Sequence, residues 1–264
     1  MTDAHCHPWA LLDHCAAAEE ERRKTGTAAA ASSSGLEEFE YHEGLARKAR
    51  EDGAPPLIRC FALHPQISGG GTYSCREGLE LLVKLGAEGR LDAIGEAGFD
   101  LYDEHYRAGE KIQDEMFIVH LETALKHELP MIIHIRRAMH KIFPFSKQLK
   151  KIPAVVFHSW PGTRGEGEAL LNRGINAYFS FGTTVVKNHR KAQISAASFP
   201  LDRITLETDA PYQPLRGKEF SVWQDLEIIC RGIAALRKEA GSPGNSMEEV
   251  EAKTTENFFK VFKK

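Results

Sequence analysis

The stretch Ala154-Val155-Val156-Phe157-His158 shows the pattern that decides the fold, a short apolar run that leads directly into a polar residue. Short apolar runs of this kind indicate strands. Similar runs lie at residues 27–33, 57–63, 91–95, 130–133, 176–181 and 203–206. Together with a very short run before His5, they make eight candidate strands.

Amphipathic helical stretches lie between the candidate strands, for example at residues 36–50, 77–85, 110–127, 165–173 and 223–240. Strands that alternate with helices favour a parallel sheet joined by right-handed crossovers. Eight such repeats in 264 residues fit a (β/α)8 TIM barrel better than an open sheet. We therefore predict an α/β protein with a single barrel domain over residues 1–264.

The composition excludes several classes of protein. The chain is 42% hydrophobic and 27% charged, which permits a large core and disfavours extended disorder. Its net charge of −3 gives no general attraction to nucleic acid or to anionic membranes. Contact with nucleic acid would therefore depend on a local basic patch or on a metal ion.

Cysteine usage and the start of the chain bear on the compartment. The five cysteines have no Cys-x-x-Cys spacing, which disfavours a disulfide framework and suits a reducing cytosol. The N-terminal stretch lacks the apolar core of a signal peptide, and no apolar run approaches the length of a membrane span. We expect a cytoplasmic protein that does not interact with membranes.

The segment Asp3-Ala4-His5-Cys6-His7 places two histidines two positions apart. Because side chains alternate between the faces of a strand, His5 and His7 point the same way and Cys6 points away. Two imidazoles on one face of a strand end form half of a metal site.

Polar residues at the ends of other predicted strands add to this pair. In a barrel all carboxyl ends of the strands share one mouth, where active sites are found. Four histidines and two carboxylates meet the needs of one or two divalent ions such as zinc or manganese. Glu96 could bridge two ions, and Asp209 could bind one ion and orient an attacking water. The six candidate ligands are His5, His7, Glu96, His134, His158 and Asp209.

A set of motifs extends over nearly the whole chain. The motifs are Asp3-Ala4-His5-Cys6-His7, Ala62-Leu63-His64-Pro65, Gly95-Glu96-Ala97-Gly98-Phe99-Asp100, Ile133-His134-Ile135-Arg136, Phe157-His158-Ser159-Trp160-Pro161-Gly162, Leu206-Glu207-Thr208-Asp209-Ala210-Pro211-Tyr212 and Asn257-Phe258-Phe259. In content and order this set resembles the TatD-type metal-dependent hydrolases, a deoxyribonuclease family of the amidohydrolase-like superfamily.

The resemblance has implications for cofactor, substrate and site. It implies a TIM-type barrel with a two-metal centre of zinc, manganese or magnesium, and DNA or short single-stranded nucleic acid as substrate. It puts the six candidate ligands at the metal-binding positions of the family. His64 and Arg136 stand at positions associated with substrate.

Three departures from the family pattern concern the substrate side. Gln66 replaces a histidine, Ile135 replaces a small hydroxyl residue, and Trp160-Pro161 replaces a phenylalanine-serine pair. No departure touches a ligand position. The resemblance therefore defines the metal site more closely than the substrate.

The expected reaction is metal-assisted hydrolysis of a phosphodiester, with Asp209 and Glu96 as the catalytic carboxylates. Asp209 would accept the proton of the attacking water. Arg136 and His64 would hold a phosphate, with Lys187 as a further candidate. Because basic residues are not densely clustered, we expect few phosphate contacts and removal of nucleotides from a 3′ end.

Two neighbouring side chains have open roles. Glu207 faces the same way as Asp209 and either supports a ligating histidine or is a buried structural acid. Trp160 either stacks against a base or sugar or packs in its loop.

Two other functions fit the same ligands. An amidohydrolase-like enzyme would cleave a C–N, ester or lactone bond, although Glu96 stands where that group usually has a bridging lysine. A non-catalytic metal-binding scaffold would keep its metal closed to water, which the presence of Asp209 disfavours. Activity on a phosphodiester, compared with a panel of amides and lactones, distinguishes the enzymes.

Overall fold

A single parallel sheet forms the centre of the computed structural model, which describes residues 1–70 and 72–263. Its eight strands follow one another in sequence order, and each pairs in parallel with the next. The strands are β1 Thr2–Cys6, β2 Ala28–Ser33, β3 Leu57–Phe61, β4 Ala93–Asp100, β5 Met131–Arg136, β6 Val155–Phe157, β7 Ala177–Phe181 and β8 Ile204–Leu206.

The sheet closes where β8 meets β1. The backbone N–H of Asp209 donates to the carbonyl oxygen of His5 at 3.0 Å, and the N–H of His7 donates to that of Ala210 at 2.7 Å. The buried carboxylate of Asp3 accepts a backbone bond and a hydroxyl bond from Thr208, at 3.0 and 2.6 Å. The predicted (β/α)8 barrel is confirmed.

Helices surround the barrel and connect successive strands. They are α1 Pro8–Leu11, α2 Ala18–Lys24, α3 Leu36–Glu51, α4 Thr72–Ala87, α5 Glu104–Ala108, α6 Glu110–His127, α7 Ser146–Leu149, α8 Arg164–Asn172, α9 Arg190–Ser198, α10 Asp225–Glu239 and α11 Met247–Val261. The helices predicted from amphipathic patterns are present, and α6 has the predicted bounds. Within the described residues, none of the helices is both long and apolar enough to cross a membrane.

Mainly small side chains pack inside the barrel. Ile132 and Val156 precede His134 and His158 by two positions, and therefore share their inward face. They pack with alanines of the neighbouring strands and with Phe258 of α11. Small inward residues explain how the alanine-rich β2 can be a strand, since all six of its residues are buried.

Two predicted strand ends were wrong in a way that matters for the site. β4 continues through Glu96 to Asp100, and β5 continues through His134 to Arg136. The apolar runs stop earlier, but parallel pairing continues, with Gly98 opposite His134 and Asp100 opposite Arg136. His134 is therefore held inside a paired strand, and Glu96 lies at a register shift of β4 between the paired residues Ile94 and Ala97.

Candidate metal centre

A cavity of about 870 Å³ opens at the carboxyl ends of the strands, which we call the mouth of the barrel. Most of the predicted site residues line this cavity, while His5 is fully buried beside His7. The predicted residues that line it are His7, His64, Glu96, His134, Arg136, His158 and Asp209.

Four potential metal ligands converge on one point at the β1 side of the mouth. The Nε2 atoms of His5 and His7 lie 3.1 Å apart. Each lies 3.5 Å from Oδ1 of Asp209. Oε2 of Glu96 lies 3.2 Å from the Nε2 atom of His5 and 3.8 Å from that of His7.

These spacings fit a divalent ion. Ligand atoms placed about 2.0–2.2 Å from one ion at tetrahedral angles lie roughly 3.3–3.6 Å from one another. The distances given above between the two imidazole nitrogens and the two carboxylate oxygens bracket that range, from 3.1 to 3.8 Å. Neutral imidazoles and carboxylates are also the donor types that zinc and manganese accept.

A second group of ligand atoms surrounds the other oxygen of Glu96. Its Oε1 lies 2.5 Å from Nδ1 of His134, 3.5 Å from Nε2 of His64 and 3.4 Å from Nε2 of His158. Glu96 thus directs one oxygen to each group, as a carboxylate between two ions would. His64, predicted to contact substrate, is also placed beside the second group, and Nε2 of His158 lies 3.9 Å from Asp209.

Neighbouring polar side chains orient the candidate ligands from behind. Oγ of Ser32 lies 3.1 Å from Nδ1 of His5, which leaves Nε2 of that ring for the first group. Oε1 of Glu207 lies 3.0 Å from Nδ1 of His158. The side-chain amide of Gln213 donates to Oδ2 of Asp209 at 2.7 Å, so that Oδ1 faces the two histidines.

The β4–β5 side has a similar arrangement around Asp100. This carboxylate is fully buried, and its Oδ2 lies 3.4 Å from Nε2 of His134. The side-chain amide of Gln66 donates to the same oxygen at 2.9 Å. Gln66 therefore supports the acid that contacts a candidate ligand.

Burial and charge together set the protonation of the cluster. Burial alone would raise the pKa of Glu96, but the surrounding imidazoles, His64 foremost, lower it well below its usual value. Burial also opposes protonation of His158, yet three carboxylates, Glu207 foremost, raise its pKa to about 10. Burial and the charge of His158 lower the pKa of His5. Metal binding by His158 would therefore displace a proton.

The sequence as a whole matches the family model described as TatD related DNase over residues 2–263. The chain belongs to this family. A TatD-family member of this kind is a metal-dependent hydrolase acting on ester bonds, with divalent ions as its cofactor, and the ligand groups at the mouth agree with that chemistry.

Individual relatives are similar over much of this TatD-family chain. YcfH of Escherichia coli K12, an uncharacterized metal-dependent hydrolase, is 32% identical over 189 residues, which cover 70% of this chain and 67% of that protein. A protein named 3′-5′ ssDNA/RNA exonuclease TatD, from Escherichia fergusonii, is 30% identical over 136 residues, 50% of this chain and 51% of that protein. The crystal structure of YjjV, a TatD homologue of Escherichia coli K12, has the same fold, with a TM-score of 0.82 at 22% identity and coverage of 99% and 97%.

Trp160 of this TatD-family chain is not a base-stacking residue. Its side chain is 1% exposed and packs against Phe157, Phe179 and Phe199, with the Phe179 ring centroid 4.7 Å away. The packing alternative for Trp160 is therefore confirmed, because a ring without exposed faces cannot receive a base.

Lys187 contacts the loop that follows β8. Its Nζ donates to the backbone oxygen of Gln213 at 3.2 Å. The same oxygen accepts a bond from the Thr183 hydroxyl at 2.6 Å. Lys187 thus supports the loop that carries the amide contact to Asp209.

The sequence patterns did not identify three residues that support the ligands. Asp100 had a signal, because it lies four positions after Glu96 and so on the same face of an extended strand. Ser32 is an inward polar residue at the end of an otherwise small-residue strand. No pattern in the sequence points to Gln213, because only the turn after β8 brings its amide to Asp209.

Proposed function

We propose that this protein is a nuclease that removes nucleotides from the 3′ end of DNA or of a short single-stranded nucleic acid. The observation that carries the proposal is the convergence of two carboxylates and four imidazoles at ligand spacing in a TatD-family barrel. A relative named as a 3′-5′ exonuclease on single-stranded DNA and RNA supports the choice of substrate.

The site residues divide between two ions in this proposal. His5, His7 and Asp209 would hold the first, His134 and His158 would hold the second, and Glu96 would offer one oxygen to each group. Divalent ions held by these residues would lower the pKa of a water and stabilise negative charge on the attacked and leaving oxygens. His64 and Arg136 hold the phosphate beside them.

Asp209 is the proton acceptor for the attacking water. The water oxygen forms a bond to phosphorus, one phosphorus–oxygen ester bond breaks, and the proton passes through Asp209 to the leaving oxygen. The amide of Gln213 holds Oδ2 of Asp209, so the orientation of this carboxylate is set before substrate arrives. Preset orientation lowers the entropic part of the barrier.

The charge distribution supports a short contact with the strand. Arg136 is the arginine that lines the cavity among the described residues, and the chain has a net charge of −3. A protein that grips a long duplex neutralises many phosphates and loses affinity steeply with salt. We expect a shallow salt dependence and a preference for free single-stranded ends.

We also infer a cytoplasmic location. Cys6, Cys15, Cys60 and Cys230 carry free thiols. Free thiols persist in reducing compartments, which supports this inference. Fractionation of cells that express the protein at native levels tests it, since recovery outside the cytoplasm would contradict it.

One experiment tests the nuclease proposal. The protein is stripped with a chelator, reloaded separately with zinc, manganese or magnesium, and given linear and circular single-stranded DNA of equal length. We expect metal-dependent release of mononucleotides from the linear strand with a free 3′ end, while the circle stays intact. Cleavage of circles as fast as free ends would contradict the exonuclease mode. Hydrolysis of amides or lactones without any strand cleavage would favour an amidohydrolase-like enzyme instead.

A further inference from the structure

Two exposed aromatic side chains at the mouth are placed to bind a nucleobase. We propose that the base of the 3′-terminal nucleotide stacks against Trp9 and Tyr212, which we call the aromatic rim, while the rest of the strand leaves over the opposite side of the mouth. This inference rests on the proposed nuclease function and deepens it, because it assigns a base-binding subsite and a strand direction.

The aromatic rim is exposed and lies next to the metal ligands. The side chains of Trp9 and Tyr212 are 41% and 53% exposed, and both line the cavity. The Tyr212 ring centroid lies 5.2 Å from that of His7, and Trp9 follows His7 by two positions. Of the large exposed apolar side chains in the described ranges, these two are the ones in this cavity.

The backbone of the aromatic rim is anchored even though the rings are exposed. The N–H of Trp9 donates to Nε2 of His42 at 3.1 Å, and its ring meets Tyr41 edge to face at 5.2 Å. The N–H of Tyr212 donates to the backbone oxygen of Asp209 at 2.6 Å. An aromatic side chain on an anchored backbone loses less freedom when a base binds than one on a mobile loop, so more of the stacking energy appears as affinity.

Charge at this side of the mouth disfavours a phosphate. Glu38 lines the cavity here, and its Oε2 accepts the backbone N–H of Ser34 at 2.8 Å. A carboxylate repels a phosphate, but it accepts hydrogen bonds from the amino group of a base or from a sugar hydroxyl. The aromatic rim together with Glu38 therefore suits the nucleoside part of a nucleotide.

The opposite side of the mouth carries positive charge. In a closed sheet of eight strands, β5 lies across from β1 and β4 lies across from β8. Arg136 and Arg137 follow one another there, with their guanidinium carbons 3.6 and 4.4 Å from the centroid of the Tyr102 ring. Arg137 also donates to the backbone oxygen of Tyr102 at 3.0 Å, which holds its guanidinium group at this side of the mouth.

The contrast between the two sides of the mouth gives the bound nucleic-acid strand a direction. The scissile phosphate lies over the two ligand groups, the terminal nucleoside lies on the aromatic rim, and the preceding phosphates lie over Arg136 and Arg137. Stacking on aromatic side chains tolerates any base, because every base has a π-face. We therefore expect little sequence preference at the terminal position.

The test compares two single strands of equal length that differ only at the 3′ terminus, which carries either a normal nucleotide or an abasic one. Wild-type protein loaded with manganese should process the abasic end about tenfold less efficiently in kcat/KM, the loss expected when one stacked base is removed. Trp9→Ala and Tyr212→Ala should each reduce this preference for the normal end. Trp9→Phe should restore most of it.

Controls separate the inference from the proposed function. Arg137→Ala should raise KM for long strands more than for a dinucleotide, while it keeps the preference for a terminal base. Metal content and circular dichroism of each variant check that the centre and the fold are intact. Equal processing of normal and abasic ends by wild-type protein would overturn this inference alone, without need of any variant. Failure of wild-type protein to cleave any strand would overturn the proposed function and this inference together.

Discussion

Replacement of Asp209 by asparagine is the most informative single perturbation of the proposed mechanism. Oδ1 of Asp209 lies 3.5 Å from Nε2 of both His5 and His7, and Oδ2 accepts the Gln213 amide at 2.7 Å. In Asp209→Asn the carboxamide oxygen is the only atom that can accept the bond from Gln213. The amino group of the carboxamide then faces the two imidazoles, where metal binding needs an oxygen.

The expected loss follows from these two contacts. A positioned general base contributes at least about 100-fold, and its removal therefore costs about 2.7 kcal/mol of activation free energy. Loss of an anionic ligand from the first group adds to this effect. We expect kcat for single-stranded DNA to fall by at least about 100-fold at saturating metal. The fold should persist, because Asp209 lies at the mouth and not in the packed interior.

The assay uses a matched control. Asp114→Asn changes the same functional group on α6, where Oδ1 of Asp114 pairs with Nζ of Lys141 at 2.7 Å. Rates are measured for both variants and the wild type after metal loading, with metal content determined in parallel. Turnover like that of the wild type in metal-loaded Asp209→Asn would refute the role of Asp209.

Three further predictions concern substrate binding, stability and pH. Arg136→Ala should raise KM for the strand at unchanged metal content, because the side chain is 45% exposed at the cavity and contacts Tyr102 and Asp100 but no candidate metal ligand. Depletion of metal would contradict this. Phe258→Ala should lower the free energy of unfolding by about 3–5 kcal/mol in urea titrations, since the fully buried side chain packs in one cluster with the inward residues of the barrel. Burial lowers the pKa of His120 from 6.5 to about 4, and its Nε2 accepts the backbone N–H of Leu63. The unfolded chain therefore binds a proton that the folded chain does not, so stability should fall by about 2 kcal/mol from pH 7 to pH 5. In His120→Gln this contribution should disappear, and an identical pH dependence in both proteins would contradict it.

The sequence was sufficient for the fold because the alternating pattern is repeated eight times. Apolar runs located every strand of the barrel, and the amphipathic pattern of α6 gave its observed bounds. The ends of β4 and β5 were not predictable in this way, because Glu96 and His134 are polar residues within the two strands. Strand pairing is a contact between distant segments, which a pattern of apolar residues along one segment does not record.

The candidate ligands were predictable for a physical reason, and their supports were not. Barrel topology brings the strand ends to one mouth, so residues selected by type and position meet there. Ser32 and Gln213 contact the ligands through hydroxyl and amide groups that occur throughout any chain. Trp160 next to His158 suggested a base contact, but its indole turns into a cluster of phenylalanines. The metal-binding and catalytic roles, and a single domain over residues 1–264, stay predictions.

Anomalous X-ray scattering from crystals loaded with zinc or manganese tests the central claim most directly, because it locates the ions without relying on activity. We predict one ion among His5, His7 and Asp209 and a second beside His134 and His158, with Glu96 between them. Ions bound elsewhere on the chain, or a mouth that stays without metal at saturating concentration, would contradict the account.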